Sequence, residues 1–142
     1  MSPNSRTGIR RLLGTLACCA ANFIAAGFFG AAFAASHDFN GDARSDILWI
    51  NQFTGQVLIW LLNGTTAIGG GSPGSAASPW HIRETGDFNG DGMSDILWQN
   101  TSTGQVVMWF INGTPTPPSV IGGGSPGTVT SDWQLQGGLN AD

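Results

Sequence analysis

The chain repeats itself, and this repeat limits its possible folds more than any other feature. A shift of 49 residues aligns Asp38-Phe-Asn-Gly-Asp with Asp87-Phe-Asn-Gly-Asp, and Ser45-Asp-Ile-Leu-Trp with Ser94-Asp-Ile-Leu-Trp. A longer loop in the second unit then changes the offset to 53. A period of about 50 with several short apolar runs per unit is typical of propeller blades, whereas helical solenoids show a 3.6-residue period.

Each unit contains strand signals separated by turns. The turn Thr54-Gly55 follows an apolar run, and Asn63-Gly64 is a strong hairpin signal after a β-branched and aromatic run. The strands predicted in the first unit are Ile47 to Ile50, Gln56 to Leu62, Thr65 to Ile68 and, after the loop Gly69 to Pro79, Trp80 to Thr85. We therefore predict an all-β fold of two four-stranded propeller-type blades, which is a partial β-propeller.

The repeats also divide the chain. We predict repeat 1 at residues 36–86, repeat 2 at 87–136 and the start of a truncated third repeat at 137–142, because the last six residues resemble Gly86 to Asp91. Two blades alone expose sheet edges and apolar faces. Three explanations stay open: a fragment of a longer propeller, a decayed gene, or self-assembly into a ring through exposed blade edges.

Residues 1–35 have the three-part plan of a secretory signal. A basic start with three arginines precedes a run without charged residues, which closes in small residues that fit cleavage after Ala34 or Ala35. We predict a signal peptide and a product that is secreted, periplasmic or on the cell surface, by Sec or Tat export. The alternative is an uncleaved anchor, since 24 residues without a charge can cross a bilayer of about 30 Å. Membrane contact is expected only in that case.

The exported part is acidic and has no thiol. Both cysteines, Cys18 and Cys19, lie in the signal segment, so no disulfide, thiol nucleophile or Cys-ligated metal is expected after cleavage. Two arginines stand against nine acids in residues 36–142, a net charge of −7. Such a charge disfavours a nucleic-acid partner held through its phosphates. It favours a cation as the ligand.

Six of the nine acids lie in two loops with the same spacing. Each loop places oxygen side chains at positions 1, 3, 5 and 9, and a main-chain carbonyl is expected at position 7. Close carboxylates repel by about 1 kcal/mol per pair in water, a cost that a divalent cation removes. Oxygen ligands without His or Cys favour Ca²⁺ over Zn²⁺, and a flexible loop favours it over Mg²⁺. We predict up to two Ca²⁺ sites, each of which changes the loop charge from −3 to −1. The predicted ligands are Asp38, Asn40, Asp42, the Arg44 carbonyl and Asp46 in the first loop, and Asp87, Asn89, Asp91, the Met93 carbonyl and Asp95 in the second.

A purely structural interpretation is the alternative, because Asp, Asn and Gly also build Asx-turns between strands. Two loops in register favour the metal sites. The second loop is the better site, since Gly92 at position 6 permits a positive φ and Ala43 replaces it in the first loop. In the third unit, Gly138 stands where position 1 needs Asp.

The segment Asp87-Phe-Asn-Gly-Asp-Gly-Met-Ser-Asp-Ile-Leu-Trp resembles the FG-GAP/VCBS-type repeat of bacterial secreted proteins, which is related to the blades of the integrin α-subunit propeller. The resemblance extends over almost all of residues 36–142. It implies several four-stranded blades in complete members, Ca²⁺ bound by the ten loop residues named above, and a role in adhesion or ligand recognition. The two-unit length, Ala43 and the broken third loop depart from the family pattern.

Three tryptophans recur in each unit. Packing between blades is the favoured interpretation, because the same positions in each unit face the same neighbour. Stacking on a sugar ring is the alternative, with Trp80 and Trp133 as the better candidates beside the variable loop. The aligned pairs are Trp49 with Trp98, Trp60 with Trp109, and Trp80 with Trp133.

The sequence predicts no catalytic residue and no enzyme. Residues 36–142 contain two His, one Glu and no Cys or Lys, and His81 aligns with Gln134 in the next unit. The predicted function is a secreted calcium-binding repeat module for adhesion or for recognition of an extracellular protein or glycan. The alternatives are a fragment of a propeller-fold hydrolase or lyase whose catalytic residues lie outside this chain, and a non-functional truncated product.

Overall fold

The fold is known from a computed structural model, which describes residues 36–114, 116–130 and 132–136. The predicted signal peptide and the predicted start of a third repeat lie outside these residues. Within them the chain forms seven strands and no helix, and so no helix that is long and apolar enough to cross a membrane. The all-β prediction is confirmed. The strands are β1 Ile47–Ile50, β2 Val57–Asn63, β3 Thr66–Gly71, β4 Trp80–Gly86, β5 Asp95–Asn100, β6 Gln105–Asn112 and β7 Ser119–Thr128.

The strands form two antiparallel sheets. We call them the N-sheet, in the order β1-β2-β3, and the C-sheet, in the order β4-β5-β6-β7. The prediction that Trp80 to Thr85 closes the first blade is wrong, because β4 pairs with β5, with Trp80 opposite Asn100 and Gly86 opposite Asp95. The described part of the first blade therefore has three strands instead of four. The sheet boundary falls between β3 and β4, whereas the sequence repeat begins after Gly86.

The turn between the first two strands of each sheet depends on one asparagine. Asn51 follows β1, and its side-chain oxygen accepts hydrogen bonds from the backbone N–H groups of Phe53 and Thr54. Asn100 ends β5 and accepts from Ser102 and Thr103 in the same way. Such Asx-turns fix the chain reversal locally. The β2–β3 hairpin reverses at Gly64 and Thr65, one residue later than the predicted Asn63-Gly64 centre, since Asn63 pairs with Thr66.

The core lies between the two sheets. Side chains alternate between the two faces of a strand, and on β2 the buried positions are Val57, Ile59 and Leu61. Ile96, Trp98 and Ile111 of the C-sheet belong to the same buried cluster. We call these two contacting faces the inner faces. Each fully buried large apolar side chain contributes about 2 kcal/mol of transfer free energy. Inner-face residues that are partly buried and pack on the cluster are Leu48 and Ile50 of the N-sheet and Trp80, Ile82, Val107 and Trp109 of the C-sheet.

The opposite face of each sheet, which we call its outer face, is also apolar, and it is less covered on the N-sheet than on the C-sheet, where Leu97 is 8 % exposed. On the N-sheet it exposes Trp49 and Trp60, whose rings meet edge to face with centroids 5.4 Å apart. On the C-sheet it includes Leu97 and Val106, which line one cavity together with Trp133. The interpretation of the tryptophans as packing residues therefore holds for those on the inner face of the C-sheet and fails for Trp49 and Trp60, which are 48 % and 42 % exposed.

Candidate metal centre

Both predicted metal loops fold around the carboxylate at position 1. In the second loop, Asp87 accepts hydrogen bonds from the backbone N–H groups of Gly90 at 2.7 Å, Asp91 at 3.1 Å and Gly92 at 2.8 Å. In the first loop, Asp38 accepts from the three equivalent N–H groups at 2.7, 3.2 and 2.8 Å. Donors and distances match between the two copies. The local sequence is therefore sufficient to specify the loop conformation.

Positions 3 and 5 continue the same pattern. Asn89 and Asp91 each accept a hydrogen bond at 2.8 Å from the backbone N–H two residues further on. Asn40 and Asp42 do the same at 3.2 and 2.9 Å. These contacts are the Asx-turns of the structural alternative. They do not exhaust the oxygens, because a carboxylate or amide oxygen has two lone pairs and one N–H occupies only one of them.

The two loops differ at position 7, where Arg44 is replaced by Met93. The guanidinium of Arg44 forms an ion pair with Asp42 at 3.1 Å. The pair is solvent-exposed and adds at most about 1 kcal/mol to stability. In the second loop, the side-chain amide of Asn89 donates to Asp91 at 3.0 Å instead. The first loop thus has a cationic side chain beside one of its predicted ligands, whereas the second loop has none at that position.

The aspartate at position 9 ties each loop to its sheet. Asp95 is fully buried, and its two oxygens accept hydrogen bonds from the backbone N–H groups of Phe88 at 3.0 Å and of Ile111, on β6, at 2.9 Å. Asp46 makes the equivalent pair of bonds, both at 2.9 Å, one of them to Leu62 on β2. The sequence predicted these aspartates only as ligands. Their structural role was missed because the partner strand lies 16 residues away.

Burial raises the pKa of Asp95 above the usual value of an aspartate. The N–H groups of Ile111 and Phe88 lower this pKa, and the nearby carboxylates of Asp91 and Asp87 raise it again. The pKa of Asp46 is raised for the same reasons, with burial as the largest cause. Burial and negative neighbours both disfavour the ionised carboxylate. A cation bound in the loop would relieve both effects.

The loops also touch each other. The backbone N–H of Ser94, in the second loop, donates to the Asp38 carbonyl, and that of Gly113 donates to the Phe39 carbonyl at 2.9 Å. These contacts bury Asp38, whereas Asp87 stays exposed. No signal in the sequence predicted this proximity, because it depends on how the sheets stack. Two acidic loops side by side repel each other over a short range, which adds to the reasons for a bound cation.

Position 6 requires a left-handed backbone in both loops. Gly92 has φ +85°, and Ala43 adopts φ +63° at the equivalent position. A residue with a Cβ is strained there by about 1–2 kcal/mol. The Ala43 N–H nevertheless donates to Asp38 at 2.8 Å, as the Gly92 N–H donates to Asp87. The first loop therefore keeps its shape at a cost in stability.

We expect Ala43→Gly to raise the free energy of unfolding by about 0.5–1 kcal/mol, because it removes the strain but leaves a more flexible unfolded chain. The matched variant Gly92→Ala should lower it by about 1 kcal/mol. A Cβ at position 92 would meet no atom within 4 Å, so φ alone accounts for the effect. Urea unfolding with chelator present measures both changes. A neutral Gly92→Ala would show that the left-handed conformation is not required.

The donor chemistry of the loops suits a hard cation, since every predicted ligand is an oxygen. In the described part of the chain, however, no group of three or more His, Cys, Asp or Glu side chains is arranged to hold a metal ion. Each aspartate of the loops is engaged by backbone N–H groups. The two Ca²⁺ sites, including the Arg44 and Met93 carbonyl ligands, therefore stay predictions.

The histidines and the glutamate lie apart from the loops. His81 is exposed on β4 opposite Gln99, and Glu84 lies further along the same strand opposite Leu97. Arg83 donates from Nε to the side-chain oxygen of Gln99 at 2.8 Å. His37 precedes the first loop and is exposed. That the chain is not an enzyme therefore stays a prediction.

Comparison with known proteins agrees with the repeat. The family model of the FG-GAP-like repeat matches residues 38–98, from the first acidic loop to the tryptophan of β5. No curated protein and no solved structure matches the chain significantly. The matched segment contains both acidic loops, the whole N-sheet and the strand that opens the C-sheet. Residues 38–98 therefore contain an FG-GAP-type repeat.

Proposed function

We propose that the chain is an exported calcium-binding module of the β-propeller type, which recognises a protein or glycan outside the cell. The FG-GAP-like repeat suggests a propeller-like module. One observation carries the calcium part of the proposal: two loops with the same spacing adopt the same hydrogen-bonded geometry and offer only oxygen donors. The hydrogen bonds hold the loop but leave a lone pair on the side-chain oxygens that accept a single N–H group, such as those of the residues at positions 3 and 5.

Electrostatics support a divalent ion in preference to an empty loop. Each loop carries three carboxylates, and the buried one has a raised pKa because of burial and of its two neighbours. Folding must therefore bring negative charges together in each loop. An ion that binds only the folded loops adds RT ln(1 + [L]/Kd) to stability, about 2.7 kcal/mol at a hundredfold excess over Kd.

Export is supported by composition. Residues 1–35 have the charge and small-residue pattern of a secretory signal, and both cysteines fall within them. The remaining chain has no thiol to oxidise. Detection of the mature N-terminus by mass spectrometry of the exported product tests this part, with cleavage after Ala34 or Ala35 as the expected result.

Calcium should raise the thermal unfolding midpoint of the chain relative to the same sample in chelator, by several degrees at saturating ion. Magnesium at the same concentration should raise the midpoint much less. Mg²⁺ requires a near-ideal octahedral geometry and usually keeps several bound waters, and a flexible loop of oxygen ligands suits Ca²⁺ better. Differential scanning calorimetry with Ca²⁺, Mg²⁺ and chelator measures the difference. Identical transitions in Ca²⁺ and chelator would contradict the calcium proposal.

A charge-matched pair of variants separates specific binding from general charge effects. Asp91→Asn removes a predicted ligand from an exposed position and should abolish most of the calcium response of the second loop. Asp132→Asn removes one negative charge outside the loops and should leave the response intact. Loss of the response in both variants would indicate a nonspecific charge effect and contradict the site.

The recognition role is supported only by the FG-GAP-like repeat in residues 38–98 and by an exposed apolar surface on a scaffold of few charges. A glycan array and a pull-down from the extracellular fraction test it with Ca²⁺ and with chelator. Binding of a ligand that requires Ca²⁺ is the expected outcome. A chain that binds calcium but no ligand would leave a stability role for the ion and remove the recognition role.

A further inference from the structure

The two sheets of the chain pack on each other through inner faces of different composition. The inner face of the N-sheet, with Leu48, Val57 and Ile59, packs on the inner face of the C-sheet, with Trp98 and Trp109. The two faces are different, so the contact is directional. One sheet presents aliphatic side chains and the other presents a pair of tryptophans.

The outer face of the N-sheet repeats the tryptophan side of this contact. Trp49 and Trp60 align with Trp98 and Trp109, and both pairs of rings are in contact, with centroids 5.4 and 5.0 Å apart. In the C-sheet the pair is covered by the N-sheet. In the N-sheet nothing within the described residues covers it to the same extent, since Trp49 is 48 % exposed.

The outer face of the C-sheet repeats the aliphatic side. Leu97, Val106 and Met108 occupy the repeat positions of Leu48, Val57 and Ile59, the residues that cover the tryptophan pair inside the chain. Strand alternation places them on the face opposite Trp98. The chain therefore carries, on its two outer faces, both halves of the contact that already holds its sheets together.

The strand edges are complementary as well. In the C-sheet, β4 adds to the edge of β5, with Trp80 opposite Asn100 and Ile82 opposite Trp98. Over the described residues, the equivalent edge of β1 has no partner strand. The segment Trp133 to Leu135 aligns with Trp80 to Ile82 and lies at the outer face of the C-sheet, where it lines the cavity with Leu97 and Val106.

We propose that the chain associates head to tail with a second copy of itself. The outer face of the C-sheet of one copy packs on the Trp49–Trp60 face of the next, and residues 133–135 of the first add as a fourth strand to β1 of the second. The internal pairing fixes the register: Trp133 lies opposite Asn51, and Leu135 opposite Trp49. Such a contact is heterologous, so repetition yields a ring or a filament. It requires no bound cation.

The test is the mass of the purified full chain by light scattering and sedimentation, from micromolar to millimolar concentration and with chelator present. The mass should rise above that of one chain, which is 14.8 kDa with residues 1–35 included, as concentration increases. Trp49→Glu combined with Trp60→Glu should weaken association roughly tenfold or more, because charged groups then face an apolar surface. Phe53→Glu is the matched control, since Phe53 is 99 % exposed in a turn outside both faces. A wild-type chain that stays monomeric throughout would overturn the proposal and point to a different partner.

A mixing experiment distinguishes this contact from a symmetric one. The Trp49→Glu/Trp60→Glu chain keeps an intact outer face of the C-sheet. A Trp133→Glu/Leu135→Glu chain keeps an intact outer face of the N-sheet. Each should be monomeric alone, and a mixture should form a one-to-one dimer that does not grow further. Pairing of two tryptophan faces would instead leave the Trp133→Glu/Leu135→Glu chain self-associating. That result, or a mixture that stays monomeric, contradicts the proposal; circular dichroism of each variant alone confirms that it is folded.

Discussion

Replacement of Asp95 by alanine is expected to lower the free energy of unfolding by about 3–5 kcal/mol, even without any metal. The carboxylate is fully buried and is the acceptor for two backbone N–H groups, those of Phe88 and Ile111. Alanine leaves the buried N–H of Ile111 and the partly buried N–H of Phe88 without a partner, at about 1–3 kcal/mol each. A domain stability of about 5–15 kcal/mol makes this a large fraction of the total. Urea unfolding in chelator measures it.

Two further variants test whether the loss of stability comes from the buried acceptor oxygens of Asp95. Asp95→Asn keeps one acceptor oxygen and the volume of the side chain, so it should cost less, about 1–2 kcal/mol. Asp91→Ala removes an exposed aspartate of the same loop and should cost under about 1 kcal/mol in chelator. If Asp95→Ala were as mild as Asp91→Ala, the two hydrogen bonds would not hold the loop to β6, which would contradict the structural role assigned to Asp95.

Trp98→Ala is expected to cost a similar amount, about 3–5 kcal/mol, because it leaves a cavity between the two sheets. Trp98 is 1 % exposed and its ring centroid lies 5.0 Å from that of Trp109. The closely packed sheets cannot collapse to fill the space that the ring leaves. Its contacts with the inner face of the N-sheet are therefore lost. Thermal or urea unfolding of the variant at low protein concentration measures the loss.

The repeat supplies a control with the same residue type. Trp49→Ala is the equivalent change on the outer face of the N-sheet and should cost about 1 kcal/mol or less when the chain is dilute. Trp98→Phe should fall between the two. It removes the indole N–H, which is buried and has no hydrogen-bond partner within the described residues, and it keeps most of the apolar volume. Equal losses for Trp49→Ala and Trp98→Ala would contradict the assignment of inner and outer faces.

The sequence predicted those elements that depend on nearby residues. β1 has the predicted bounds, Ile47–Ile50, and β2 and β3 begin within one residue of the predicted positions. The Asx-turns in the acidic loops also follow from a few adjacent residues. Such features are local, because the spacing of Asp, Asn and Gly determines which backbone N–H groups a side chain can reach.

The pairing of β4 with β5 could not be predicted in the same way. β4 fits either sheet by composition, and the sequence repeat placed it with the strands before it. In the structure, Gly86 and Asp95 lie opposite each other at the two ends of the second acidic loop. The hydrogen bond from the Ile111 N–H to Asp95 and that from the Ser94 N–H to the Asp38 carbonyl were missed because they join residues that are far apart in the sequence. Which face of a sheet is covered likewise depends on the neighbouring sheet.

The stagger between sequence repeat and sheet determines how such a protein can gain or lose units. A segment copied from one acidic loop to the next carries three strands of one sheet and the first strand of the following one, as residues 38–86 do. An inserted segment therefore shares one sheet with the unit before it and another sheet with the unit after it. Removal of one unit would join the flanking strands into a complete sheet again, so that the length of the array can change without any unfinished sheet inside it.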